Sequence, residues 1–201
     1  MRSTFLSALA VAALSLDCVS AHGYISDPAA SFLDTSKKTS YVKTITADVN
    51  AAFQGQNWGW GGEAAVAAFT ATFPNTGYAS LRAMLDQQVS DCGNTRTDVS
   101  PVDVAGKTSM KWQNDDEHVG FVASHHGPCE IWLDDIMVGH QSDCVAAYGS
   151  GYPASVNVDF SQCKHSCTLR FYWLALHEPN WQIYKQCVPL TNKATRTLRL
   201  A

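Results

Sequence analysis

The sequence predicts a mainly β chain: an antiparallel β-sandwich, stabilised by disulfides, with a helical insert over about residues 45–90. Three observations predict it. After Cys92 the chain runs as short segments rich in β-branched and aromatic residues, separated by Gly, Pro, Asn and Asp. Residues 63–73 and 79–88 have helical composition instead, with Leu81, Met84 and Leu85 on one side of the second. The cysteines beyond residue 21 are Cys92, Cys129, Cys144, Cys163, Cys167 and Cys187, an even set that suits three disulfides.

Taken in order, residues 1–21 read as a secretory signal peptide. Arg2 is the positive start, residues 5–16 (FLSALAVAALSL) are the apolar run, and Val19-Ser20-Ala21 has the small-x-small form of a cleavage site. The run is short for a bilayer span, and no later segment has eighteen consecutive apolar residues, so the expectation is a secreted, extracellular protein without a membrane anchor. An uncleaved anchor is the competing reading. Residues 22–190 are expected to form one domain, with 191–201 a C-terminal tail. At 201 residues, 46% hydrophobic and 16% charged, the chain supports one sizeable core. The leader removes one charge of each sign, Arg2 and Asp17, so the net charge stays at −4. Nucleic acid and anionic membranes are therefore excluded as natural partners, and a monomer is expected.

The candidate strands are 107–113, 118–123, 129–138, 155–160, 167–177 and 181–188. Strands at this spacing suit a sandwich of the immunoglobulin-like or fibronectin-like kind. Residues 55–62 (GQNWGWGG) form a glycine-rich loop, but it lacks the Gly-Lys-Ser/Thr ending of a phosphate loop. The six cysteines allow fifteen pairings, among which spacing does not choose. Zinc is disfavoured because no C-x-x-C pair occurs; the nearest spacing is Cys163-x-x-x-Cys167.

Cleavage after Ala21 would make His22 the first residue. Its α-amine and ring Nδ1 can chelate one metal ion, and the amine gives up its proton readily near neutral pH. A second imidazole would complete a flat three-nitrogen site, which suits copper. The segment SHHGPCEIWLDD at 124–135 offers one, because Gly127-Pro128 forces a turn and then opens a strand. By chemistry, either His125 or His126 could serve. In the late segment LALHEPNWQIYKQC (174–187), period-two alternation places Gln182, Tyr184 and Gln186 on one strand face, with Trp181 and Ile183 facing a core on the other.

A terminal histidine, an internal H-x-G-P and a late Gln-x-Tyr-x-x-Cys resemble the lytic polysaccharide monooxygenases. Here these are His22, His125-His126-Gly127-Pro128 and Gln182 to Cys187. The opening HGYISDP and the closing WQIYKQCV look most like the oomycete pectin-active group, auxiliary activity family seventeen. The resemblance runs from residue 22 to about 188. It implies one copper ion per chain, an external electron donor, O₂ or H₂O₂ as co-substrate, and oxidative cleavage of a plant cell-wall polysaccharide, with homogalacturonan favoured over cellulose or chitin. Position by position, His22 matches the chelating histidine, His125 the third nitrogen, and Tyr184 the axial tyrosine. Gln182 matches the amide facing bound oxygen, and His177 a histidine close to it. Cys187 matches a half-cystine that pins the sheet, paired with Cys92.

Plainer readings stand beside these. His177 serves equally as a core histidine. Tyr184 and Trp181 suit any strand, and Trp58 and Trp60 suit loop packing better than sugar stacking. Asp115, Asp116, Glu117, Asp134 and Asp135 read as solvated turns rather than a glycosidase pair. Lys37, Lys38 and Lys43 read as surface more readily than as a uronate-binding patch. Two other functions fit parts of the pattern: a histidine-brace copper-binding protein without cleavage, and a non-catalytic carbohydrate-binding effector.

Overall fold

The computed structural model describes residues 23–59 and 61–193. Among the described residues nine strands form two sheets, and the chain is a disulfide-stabilised β-sandwich. β1 (Tyr24–Asp27), β4 (Ser109–Gln113) and β7 (Ala154–Asn157) make the smaller sheet in the order β1-β4-β7. The larger sheet runs β2-β9-β8-β5-β6, built from β2 (Lys43–Ile45), β9 (Trp181–Thr191), β8 (Ser166–Ala175), β5 (Cys129–Leu133) and β6 (Ile136–Gln141). β3 (Val102–Asp103) adds to the far end of β9, the one parallel pairing among the described strands.

Alternation along β8 explains the layers. Leu169, Phe171, Trp173 and Ala175 point inward and join Ile25, Met110, Trp112, Ile131 and Val156 in the core between the sheets. Tyr172, Leu174 and Leu176 point outward and are covered by the insert. That insert holds α1 (Gly62–Thr72), α2 (Leu81–Leu85) and several short 3-10 turns. Phe53, Trp58 and Phe69 surround Trp181 there, with ring centroids 4.7–5.7 Å away. Trp58 is thus a packing residue; Trp60 lies outside the described residues. The helical insert expected over about 45–90 is present. α2 starts where Ser80 accepts from Ala83 N, while the buried Glu130 carboxylate accepts from Leu81 N at 2.7 Å and Arg82 N at 2.9 Å.

Several boundaries differ from expectation. The run 129–138 is a hairpin, not one strand: Asp134, at φ 50°, turns the chain between β5 and β6, and its side chain accepts from Thr168 N. Residues 118–123 are not a strand. The Asn114 side chain accepts from Asp116 N and Glu117 N and closes a turn, leaving a lone bridge between Asn114 and Val119. β1, β2, β3 and a short helix, α3 (Cys144–Tyr148), are further elements. β9 continues through Pro189, which lies opposite Thr168 of β8, to Thr191. The disulfides join Cys92–Cys187, Cys129–Cys144 and Cys163–Cys167. Among the described residues no helix is long and apolar enough to cross a membrane.

Candidate functional site

Gly127 brings the His125–Pro128 segment against β8. A Cβ there would overlap the Leu174 carbonyl, so only glycine permits this approach. The close approach lets Leu174 N donate to the Pro128 carbonyl at 3.0 Å and Leu176 N to the His126 carbonyl at 2.8 Å. The β5 ladder is thereby extended back to the two histidines. β8 ends at Ala175, directly opposite Gln182 near the start of β9. These three chain segments converge at one end of the larger sheet.

His125, His177, Gln182 and Tyr184 are brought together there. The His125 and His177 rings stack with centroids 3.7 Å apart. Trp173 lies 6.2 Å from His125 and stacks on Tyr184 at 4.6 Å. The Tyr184 hydroxyl donates to Gln182 Oε1 at 2.7 Å, and Gln182 Nε2 donates to Glu178 Oε1 at 3.1 Å. Ser124 Oγ sits 2.9 Å from His125 Nδ1 and fixes that ring. His125, Gln182 and Tyr184 are all buried, at 4%, 9% and 1% exposure. His22 lies outside the described residues.

His126 faces elsewhere. Its Nδ1 lies 2.6 Å from Asp143 Oδ2, and its ring packs over Gly62 at the start of α1. Of the two adjacent histidines, His125 is therefore the one in the cluster. An open recess of about 750 Å³ beside it is lined by Gly61, Gly62, Glu63, Ser124, His126 and His177.

Burial sets the electrostatics. It pushes the Tyr184 phenol well above its ordinary range, and the nearby Tyr41, Glu178 and Glu117 push the same way, so this hydroxyl keeps its proton and donates. Burial lowers His177, offset in part by Glu178. Burial also raises Glu117, with Asp116 adding to it. His177 Nδ1 and Glu117 Oε1 are buried without a hydrogen-bond partner, an arrangement that costs about 1–3 kcal/mol per group and marks a place where a ligand or a proton could be held.

Among the described residues no group of three or more His, Cys, Asp or Glu could hold a metal ion. Stacked rings direct their in-plane lone pairs along near-parallel planes, so His125 and His177 do not converge on one point. The donors here fit a partial site: one anchored imidazole, a neutral phenol and orphaned polar atoms, with further nitrogen ligands required from outside the described residues.

Ser124, Trp173, Glu178 and Glu117 are site residues that motif spacing does not reveal. Glu178 carries the one usable signal, a carboxylate in the tight turn HEPN four residues before Gln182. Within the basic cluster, Lys38 Nζ lies 2.7 Å from Asp115 and Lys43 donates to the Gln88 carbonyl, while Lys37 is exposed. Asp134 and Asp135 lie in the β5–β6 turn, with Arg82 on the exposed Asp135 carboxylate. No protein-family model matches the chain, and no curated protein matches it.

Proposed function

We propose that the protein is a secreted copper-dependent polysaccharide monooxygenase acting on plant cell-wall polysaccharide, with homogalacturonan as the first candidate. One observation carries the reading. His125, His177, Gln182 and Tyr184, which the motif resemblance assigns to one centre, form a single cluster although they come from two distant stretches of chain. In this reading His22 and His125 hold the metal, and Tyr184 stands beside it. Copper supplies a redox centre able to turn O₂ or H₂O₂, with electrons from an external donor, into an oxidant for a sugar C–H bond.

The chain's own residues prepare that chemistry. Ser124 orients the His125 ring through Nδ1. Tyr184 stays a neutral phenol and fixes the Gln182 carbonyl oxygen, while Glu178 fixes the Gln182 amide nitrogen. The amide is thus held in one orientation at the cluster. His177 Nδ1 can hold a proton on a buried atom with no protein partner. Protein and homogalacturonan are both acidic, a repulsion that salt screens beyond roughly 8–10 Å.

The test is product analysis. Chain beginning at His22 is incubated with copper, a reductant and de-esterified pectin, and the products are read by mass spectrometry. Oxidised oligogalacturonides are expected, and His125→Ala should abolish them. Absence of oxidised products from pectin, cellulose, chitin and xylan alike overturns the proposal.

A further inference from the structure

β1 is an edge strand of the smaller sheet, paired with β4 on one side only. Its open edge is met by a side chain from the opposite sheet. Gln186 on β9, 3% exposed, accepts from Ile25 N through Oε1 at 2.9 Å. Its Nε2 donates to the Gly23 carbonyl at 3.1 Å and to the Lys38 carbonyl at 3.4 Å. Every one of these partners is backbone, and two belong to the three residues that follow His22. On its other side Gly23 lies against the Trp112 indole, where a Cβ would collide with the ring. Trp112 in turn meets Trp173 and Tyr184 edge-on, with centroids 5.7 and 6.3 Å away. The chain just after His22 is therefore gripped between Trp112 of one sheet and Gln186 of the other, two residues along β9 from Tyr184.

Gln186 is itself held firmly. The next residue, Cys187, is tied to Cys92 by a disulfide, and its backbone N–H donates to Thr95 Oγ1 at 2.8 Å. A chelating amino end is useful only if its backbone is already in place, because ordering a free terminus subtracts from the binding free energy.

We propose that Gln186 is the positioning residue for the mature amino end: by gripping Gly23 and Ile25 it fixes the backbone that follows His22 and so sets the affinity for copper(II). This rests on the copper reading above.

The experiment uses chain beginning at His22, with Gln186→Leu and Gln186→Glu variants. Copper(II) affinity is measured by competition with a chromophoric chelator, the copper spin-resonance spectrum is recorded, and amide exchange at Ile25 is followed in the metal-free protein. Gln186→Leu should weaken copper about 10–100-fold, as loss of a ligand-orienting partner typically does, with an altered spectrum and faster exchange at Ile25. Gln186→Glu keeps the acceptor for Ile25 N but sets an anionic oxygen against the Gly23 and Lys38 carbonyls. It should keep Ile25 protected and still weaken copper. Should Gln186→Leu not fold, Gln186→Glu decides alone. Unchanged affinity and spectrum in the variants overturn the proposal. If wild-type chain binds copper no better than His22→Ala, the copper reading fails instead, and exchange at Ile25 in Gln186→Leu decides the grip by itself: faster exchange supports it, and unchanged exchange overturns it.

Discussion

At its first residues the two faces of β9 are built on different principles, before the buried Lys185 on the insert side pairs with Asp86. Trp181 and Ile183 face the insert, in a cluster of aromatic and aliphatic side chains held by shape and area. Gln182, Tyr184 and Gln186 face the smaller sheet, equally buried, and each makes directed hydrogen bonds. Farther along the polar face, Val188 and Leu190 return to apolar packing. Burying an amide or a phenol costs free energy unless it is bonded, and apolar residues would stabilise this end at least as well. The contrast teaches that the polar stretch specifies positions, whereas the opposite face supplies stability.

The largest effect should fall on the apolar face. Trp181→Ala empties the middle of the insert core and should cost about 3–5 kcal/mol in denaturant unfolding, leaving exchange at Ile25 slow. If Gln182→Ala costs as much, the division between the faces breaks down. Glu130→Gln comes next. Glu130 also lies under the insert, and its carboxylate serves Leu81 N, Arg82 N and the Trp132 indole. The amide keeps one acceptor oxygen and turns a donor toward the others, so a loss of about 1–3 kcal/mol is expected by the same measurement.

This division was half legible in the sequence. Period-two alternation at 181–186 separates the two faces, and the strand-rich texture after Cys92 gives the sandwich. The helical composition of 63–73 and 79–88 gives the insert. β2 and β3 are too short to show a pattern; β2 is defined by its pairing with Trp181–Ile183, and β3 by its pairing with Leu190–Thr191. Residues 118–123 looked like a strand because Val119, Phe121 and Val122 are apolar, but the Asn114 side chain outcompetes the ladder. At the site, motif register picks out His125 over His126, and the structure separates them by what each ring touches. Trp173 and Glu117 stay hidden because their roles arise from tertiary packing, which no local spacing encodes. The grip of Gln186 on Gly23 spans 163 residues and is equally invisible.

A smaller change sharpens the contrast on the polar side. Tyr184→Phe keeps the ring on Trp173 but removes the donor to Gln182 Oε1. A stability loss of about 1 kcal/mol is expected, together with a changed copper spin spectrum that Trp181→Ala does not produce.

The smallest effect belongs to Asp115, a solvent-facing counterpart of the buried Gln186 near the same strand. Its carboxylate accepts from Lys38 Nζ, the Tyr24 and Tyr152 hydroxyls and Gln113 Nε2 at 2.6–2.9 Å. Those bonds, Lys38 foremost, hold the carboxyl well below the ordinary carboxylate range. The sign follows from linkage. A carboxyl depressed in the folded state stabilises the fold above its unfolded pKa, about 3.9. That contribution fades as pH falls from there toward the lower folded value. Asp115→Asn should therefore lower stability near neutral pH by less than about 1 kcal/mol, as suits a partly exposed pair. The gap from wild type should narrow below about pH 4. Unfolding midpoints for both proteins at pH 7 and pH 3 measure it, and a gap that widens on acidification would place the stabilising charge elsewhere than on Asp115.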